Sequence, residues 1–402
     1  MASTTRVALL FISGHDERGG IEVVTLDLIR ALDRRRFEVW VLSLVEGPFP
    51  DELRHAADRF VSSPTRMRDR RGWARAAEVG VRMLQEASGA LVHVNEGRSH
   101  LLGRRISDAT GAPLVRWLHG WHSPLFSRDR LCSWMSIRAG AHVWVANSAT
   151  TARYFARWLP PTTPVRIIAP GVDLDARRSG EAPPSIRARL GIGEADLAIV
   201  MHGRLVSAKG CHVLIEALAI LARQGIPATA LMVGGSQLPK PVHQAYRDQL
   251  ETLARRLSVH SRVRFLGFQA STYDFVAAAD VVAHVATIPE GFGLVVIEGM
   301  GFGKPVIATR TGGPEEILDH GVTGLLTSPG DPVELARWLA LLHRRPDVRR
   351  RLGAAAQQLF EARHTALRMA EDFGRLYAAM RVSLQGIGAV ENTAPGTLAA
   401  RS

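Results

Sequence analysis

Short apolar runs rich in β-branched residues alternate with longer stretches of helical period along most of the chain. A first series occupies residues 7–12, 37–44, 90–94, 113–118, 142–146 and 165–168. A second occupies 197–202, 229–233, 263–266, 281–285 and 305–308. Most are continuous rather than alternating, as in strands covered on both faces of a parallel sheet. Between them, residues 20–32, 73–87 and 211–224 carry the apolar spacing of helices. Such alternation predicts doubly wound α/β sheets. The pattern lapses near 175–185, where Arg177-Arg178-Ser179-Gly180-Glu181-Ala182-Pro183-Pro184 has no apolar period and carries turn residues. The expected organisation is therefore two Rossmann-like domains: residues 1–178 and 190–370, with a linker at 179–189. A helix at 371–387 is expected to return to the first domain, and the small, polar tail at 388–402 reads as disordered.

Composition narrows the classes. The chain has 402 residues, 46% apolar and 22% charged, enough for two buried cores. No run of 18 apolar residues exists, so no membrane-spanning helix is expected. The opening residues lead straight into the run at 7–12, too little for a secretion signal. Cys132 and Cys211 are too few for a disulfide framework or a zinc cage. A cytoplasmic, reduced protein is the expectation. The formal charge is +12, which favours an anionic partner such as a nucleotide, a phosphate or a lipid headgroup. Only Lys209, Lys240 and Lys304 among the basic residues are lysines, so a codon bias toward arginine accounts for much of the surplus. Scattered arginines without a recognition motif argue against nucleic acid as a partner.

The densest motif follows the run at 281–285. It reads Pro289-Glu290-Gly291-Phe292-Gly293-Leu294-Val295-Val296-Ile297-Glu298-Gly299-Met300. Two glycines admit close approach of a ligand, and a helix starting near Gly293 aims free N–H groups at it. An anion there would have a carboxylate on either side, and carboxylates accept hydrogen bonds from hydroxyls. Sugar on one side and ribose on the other is a natural occupancy. A capped helix with two solvated glutamates is the local alternative. Upstream, the run at 197–202 leads into Gly203-Arg204-Leu205-Val206-Ser207-Ala208-Lys209-Gly210. Arginine clamps phosphate oxygens with its fork, and lysine adds a compact, mobile charge. In a chain where arginine is the default base, Lys209 marks a site that requires an ammonium.

Gly203-Arg204 with Lys209, then Glu290 and Glu298 separated by seven residues, resemble glycosyltransferase family 4, the retaining enzymes of the GT-B fold. The likeness extends to Gly19-Gly20 with the following Ile21-Glu22-Val23-Val24, to Asn147-Ser148 and to Pro170-Gly171-Val172-Asp173. It continues in Gly303-Lys304-Pro305-Val306-Ile307-Ala308-Thr309 and Gly312-Gly313-Pro314-Glu315-Glu316, covering about residues 6 to 380. The resemblance implies a nucleotide-diphosphate sugar as donor co-substrate, with no metal or other cofactor, and a hydroxyl acceptor. Arg204 and Lys209 are then expected on the diphosphate, Glu298 on the ribose and Glu290 on the transferred sugar. Backbone amides of Gly291, Phe292, Gly293 and Leu294 would face sugar and phosphate. Gly19 and Gly20 would cover the phosphates from the opposite domain, and Gly267-Phe268 would lie against the base. His119, at the end of the run at 113–118, matches the family's active-site histidine, with His122 as competitor. Acceptor contacts are expected around residues 96–100 and 122–130.

Rival readings are a nucleotide-sugar 2-epimerase of the same fold and a catalytically silent nucleotide-sugar-binding subunit. Asp173-Leu174-Asp175 spells a metal motif of another glycosyltransferase fold but sits in the Pro-Gly-Val-Asp segment, and is read as a loop. The basic stretch Arg66-Met67-Arg68-Asp69-Arg70-Arg71 leads into a helix with Trp73, Ala77, Gly80 and Leu84 on one face. A solvated outer face is expected there, with weak contact to the inner membrane surface through the first domain as the alternative.

Overall fold

The computed structural model describes residues 6–66, 68–87, 89–120, 128–235 and 241–385. His122 and the tail at 388–402 lie outside the described residues. Two parallel sheets organise the chain. The first contains β1 (Val7–Ser13), β2 (Phe37–Ser43), β3 (Arg59–Ser62), β4 (Ala90–Val94), β5 (Leu114–Leu118), β6 (Val143–Ala146) and β7 (Val165–Ile167). The second contains β8 (Leu197–His202), β9 (Ala228–Val233), β10 (Val263–Gly267), β11 (Val281–His284), β12 (Val306–Thr309) and β13 (Leu325–Thr327). The spatial orders are β3-β2-β1-β4-β5-β6-β7 and β10-β9-β8-β11-β12-β13. Each order reverses once, between β1 and β4 and between β8 and β11. Crevices for ligands open at such switch points, beyond the carboxyl ends of the strands.

The continuous apolar runs become the central strands because both faces are covered. Leu9, Leu10, Val39, Val41, Val92 and Val115 of the first sheet, and Ile199, Val200, Val281 and Val282 of the second, are completely buried. Helices Gly20–Ala31, Arg70–Gln85 and Cys211–Arg223 fall on the apolar-periodic stretches. Arg70–Gln85 begins earlier than its apolar spacing indicates, because Asp69 accepts from the Gly72 N–H at 2.8 Å and caps it. Two strands escape periodicity: β3 has only four half-buried or exposed residues at a sheet edge, and β13, though buried, is only three residues long.

Residues 179–189, read as linker, contain the helix Pro183–Arg189. Its Ile186 is fully buried in the second domain's core, and Arg187 bridges Asp280 at 2.9 Å and the carbonyls of Gly193 and Asp196. One core residue in seven gives no period to read. The last helix starts at Ala366, and its Met369, Phe373, Leu376, Tyr377 and Met380 pack into the first sheet's core beside Leu9 and Trp117. The two chain passages between the sheets run side by side. Val172 N–H donates to the His364 carbonyl at 2.9 Å, and Ala366 N–H to that of Val172 at 3.1 Å. No helix among the described residues is long and apolar enough to cross a membrane.

Candidate active-site cleft

The second domain's half of the cleft forms where β8 and β11 end. Beyond β8 the chain turns through Gly203 into a short 3₁₀ turn, Ser207–Lys209, closed by Gly210. Gly210 has φ +74°, and a Cβ there would lie 1.9 Å from the Val285 carbonyl oxygen, so the loop rests directly on the exit of β11. That contact brings Lys209 to Glu290. The ammonium ion-pairs with Glu290 Oε1, and His284 Nε2 lies 3.0 Å from Oε2. Burial alone would raise the Glu290 carboxyl; the charge and hydrogen bond of His284, followed by those of Lys209, hold it well below the usual carboxylate range. Glu290 is thus a fixed anion beside the N-terminus of helix Leu294–Gly301.

Glu298 lies inside that helix, facing the end of β8. Its Oε1 accepts from the Tyr273 hydroxyl at 2.9 Å, and His202 Nε2 is 3.4 Å from Oε2. Tyr273 accepts in turn from Arg177 at 3.1 Å, and Arg177 forms a two-pronged pair with the fully buried Asp27 of the first domain, one prong at 3.0 Å. One hydrogen-bonded chain therefore joins Glu298 to the opposite domain. Burial keeps the His202 imidazole below its ordinary pKa, partly offset by Glu298.

The first domain's half forms beyond β1, β4 and β5. His15 sits between Glu22 Oε1 at 2.7 Å and Glu96 Oε2 at 3.0 Å. Burial works against its charge, yet hydrogen bonding to Glu22 and Glu96, together with their negative charges, pushes its pKa up to about 10. His119 follows β5 and packs against Trp117 with the rings tilted, centres 4.3 Å apart. Its Nε2 is 3.4 Å from Asn95 Oδ1, which also faces His93 Nε2 at 3.1 Å. Asn95 Nδ2 donates to Thr25 Oγ1 at 2.7 Å, which fixes the amide with its oxygen toward the two histidines. Burial first, then the charges of Arg116, His93 and His15, hold His119 well below its ordinary pKa, so the imidazole is neutral.

The two halves touch. A Cβ on Gly291 would lie 2.6 Å from Gly120 Cα, so the Glu290–Leu294 loop reaches the residue after His119. Ser148 and Thr151 both donate to the Gly291 carbonyl. Glu316 crosses from the second domain to the N-terminus of helix Ala149–Ala156, accepting from Ala149 N–H at 2.8 Å, from Thr150 and from Arg153 at 3.1 Å. Gly20 lies against Leu294, where an added Cβ would be 3.2 Å from its side chain. The cleft is closed.

Of the residues singled out from sequence, Lys209, Glu290, Gly291 and Leu294 meet Gly20 and the residue after His119 in this cleft. Glu298 lies deeper, beside β8. Arg204 is exposed and has no side-chain hydrogen bond or ion pair among the described residues. Gly267 accepts from Gly234 N–H at 2.7 Å at the end of β10, and the adjacent Phe268 is 40% exposed. Lys304 lies elsewhere, donating to the Ala277 carbonyl at 2.7 Å. Asp173 Oδ1 accepts from the Asp175 N–H at 3.0 Å and from that of Ala176, capping a turn. Sequence reasoning missed His15, His202, Tyr273 and His284. His202 and His284 end β8 and β11, the same strand-end signal that singled out His119.

Two parallel sheets whose switch points face each other across a closed cleft define the GT-B architecture. Residues 18–176 match the family model Glycosyltransferase Family 4, and residues 184–359 match Glycosyl transferases group 1. The chain belongs to glycosyltransferase family 4, the group 1 glycosyltransferases. It is similar to the D-inositol 3-phosphate glycosyltransferase of Rhodococcus erythropolis, 35% identical over 71% of this chain and 67% of that protein. The protein of that name from Streptomyces scabiei is 31% identical over 66% of this chain, which spans 63% of that relative's length. Among solved structures, Anabaena Alr3699/HepE in complex with UDP is 27% identical with a TM-score of 0.79, over 93% of this chain and 100% of that one.

Proposed function

We propose that this protein is a retaining, metal-independent glycosyltransferase that moves a hexose-type sugar from a nucleotide-diphosphate donor to an acceptor hydroxyl. The observation that carries the reading is the Lys209–Glu290 pair beside the free N–H groups of helix Leu294–Gly301, facing the glycines of the opposite switch point. UDP in the similar Anabaena protein favours a UDP-sugar.

In this reading the donor diphosphate lies over the helix N-terminus between Arg204 and Lys209. Negative charge gathers there as the glycosidic bond to phosphate breaks, and cations fixed in advance lower the barrier. Donor binding draws the Lys209 ammonium toward the phosphates, while Glu290, kept ionised, accepts from hydroxyls of the transferred sugar. Glu298, oriented by Tyr273, accepts from the ribose hydroxyls, and the base lies along Gly267 and Phe268. Gly19 and Gly20 cover the phosphates, and the amides from Gly291 to Leu294 line the sugar. His119, neutral and held by Asn95, positions the reacting sugar without adding charge. The acceptor hydroxyl attacks the face the phosphate leaves, and the departing phosphate takes its proton, which retains configuration without a carboxylate nucleophile.

The test is a panel of nucleotide sugars, read by mass spectrometry for donor hydrolysis and for transfer, with the anomer of the product assigned by NMR. Release of UDP and an α-linked product from an α-linked donor support the reading. Donor binding with neither hydrolysis nor transfer, or an inverted product, overturns it. Full activity after extensive chelation is the outcome expected of a metal-independent reaction.

A further inference from the structure

Resting on that reading, we infer that the acceptor carries an anionic group, phosphate or carboxylate, and that Arg116 with Arg98 forms its binding site in the first domain. The observation is a set of buried polar atoms without partners among the described residues: Arg116 Nε and Nη1, Arg98 Nε, Glu96 Oε1 and His100 Nδ1. In parallel pairing Arg116 is the register partner of Val94 on β4 and of Trp144 on β6. Register partners project to one face, so Arg116 shares its face with Glu96, two residues beyond Val94. His100 stacks on Trp144 with ring centres 5.7 Å apart, which brings it to that face as well. These residues are therefore one cluster, at the carboxyl end of the sheet where the cleft lies.

The charges in this cluster do not balance. Arg116 is only 3% exposed and makes no ion pair among the described residues. Glu96 gives one oxygen to His15, and its other oxygen has no hydrogen bond. Counting His15, Arg98 and Arg116 against Glu22 and Glu96 leaves one positive charge in excess. Burial draws the Arg116 pKa down to about 10, with Glu96 opposing, so the guanidinium is charged at neutral pH. A buried, charged guanidinium with free N–H groups is costly unless an anion completes it. Arginine's fork fits a phosphate or carboxylate with two parallel bonds, and the free Glu96 oxygen accepts from a hydroxyl of the same molecule. A cavity lined by Ser13, His15, Glu22, Asn95 and Glu96 adjoins the cluster at the β1/β4 switch point. His119 lies three residues beyond Arg116 along the same chain. His119 lies against Trp117, on the other face of the strand from Arg116, so the acceptor would reach the two across the strand's carboxyl end.

The test separates acceptor binding from the donor chemistry. The UDP-saturated protein is titrated calorimetrically with glucose, glucose 6-phosphate, glucuronate and inorganic phosphate. Wild type is expected to bind at least one of the anionic probes at least tenfold more tightly than glucose. Preference for glucose 6-phosphate or for glucuronate identifies phosphate or carboxylate. Arg116→Gln is expected to abolish the preference, Arg116→Lys to keep part of it, and Arg98→Ala to weaken it about tenfold, all with UDP affinity unchanged. Equal binding of anionic and neutral probes by wild type overturns the inference, as does an undiminished preference in Arg98→Ala. Should Arg116→Gln not fold, Arg98→Ala decides, because Arg98 lies in the first turn of helix Gly97–Thr110 rather than within a strand. Loss of UDP binding by wild type is a separate result that counts against the donor reading alone.

Discussion

Gly291→Ala is a direct test of whether the closed cleft is the working state. The added methyl would lie 2.6 Å from Gly120 Cα, 3.0 Å from Thr151 Oγ1 and 3.1 Å from Gly120 N. All three of these nearest atoms belong to the first domain, so the tightest clash is across the interface. Carbon atoms rest at about 3.5–4.0 Å, and the interface must open by close to an ångström to admit it. Overpacking of this kind costs about 1–3 kcal/mol. At about 1.4 kcal/mol per factor of ten, the closed population falls roughly 5- to 150-fold. Steady-state transfer should drop by that factor, whereas UDP affinity, which in the proposed function rests mainly on second-domain residues, should stay within about threefold. Small-angle scattering of the UDP complex should show a larger radius of gyration than wild type. Unchanged turnover in a folded variant would refute the reasoning, and so would a fall in unfolding temperature of the isolated second-domain transition.

Lys209→Ala and Glu298→Ala are each expected to lower transfer at least about a hundredfold with the unfolding temperature nearly unchanged, because in the proposed function each removes a fixed charge that holds the donor; near-wild-type turnover in either sinks the site assignment. Tyr273→Phe removes the hydroxyl between Glu298 and Arg177, and should raise the Kd for UDP several-fold more than that for inorganic pyrophosphate; equal effects on both would assign the hydroxyl to stability instead. The His15 pKa of about 10 lies above its ordinary 6.5. Its stabilisation is therefore fully present below about pH 6.5 and fades as pH rises toward 10. The gap in unfolding temperature between wild type and His15→Gln should shrink from pH 6 to pH 9.5, and a gap constant over that range would contradict the ion triad.

Strand existence was legible where strands are long and covered on both faces, since the continuous runs of β1 and β8 are too short for core helices and too apolar for loops. It failed for β3 and β13, whose four and three residues carry too little pattern. Lys209 and Glu290 stand out in sequence because each follows a strand, and Glu298 because it lies eight positions further on, in the helix that comes next. Their orienting partners do not. Nothing in the local sequence sets Tyr273 apart, and only the fold brings it against Glu298 and Arg177. Arg116 sits in an apolar run, where a lone charge reads as an interruption and its lack of a partner cannot be seen until the sheet is assembled. The family resemblance supplied roles for the cleft glycines, while the contact of Gly291 with Gly120 came from the fold alone.

The paired passages at Val172 and Thr365 have a topological consequence. A single connecting strand would let one domain swivel freely on the other, whereas two strands laid side by side resist twisting and leave bending across their common line. An opening of the cleft would then hinge across that line, and reclosing would return Gly291 to Gly120. The second passage also carries the chain back, so that Phe373 and Tyr377 complete a core begun at Val7. The first domain is consequently discontinuous in sequence. Cut out as residues 1–178, it would lack the side chains that fill its own interior, and it should not fold unless helix Ala366–Gln385 is restored to it as a separate peptide or by circular permutation.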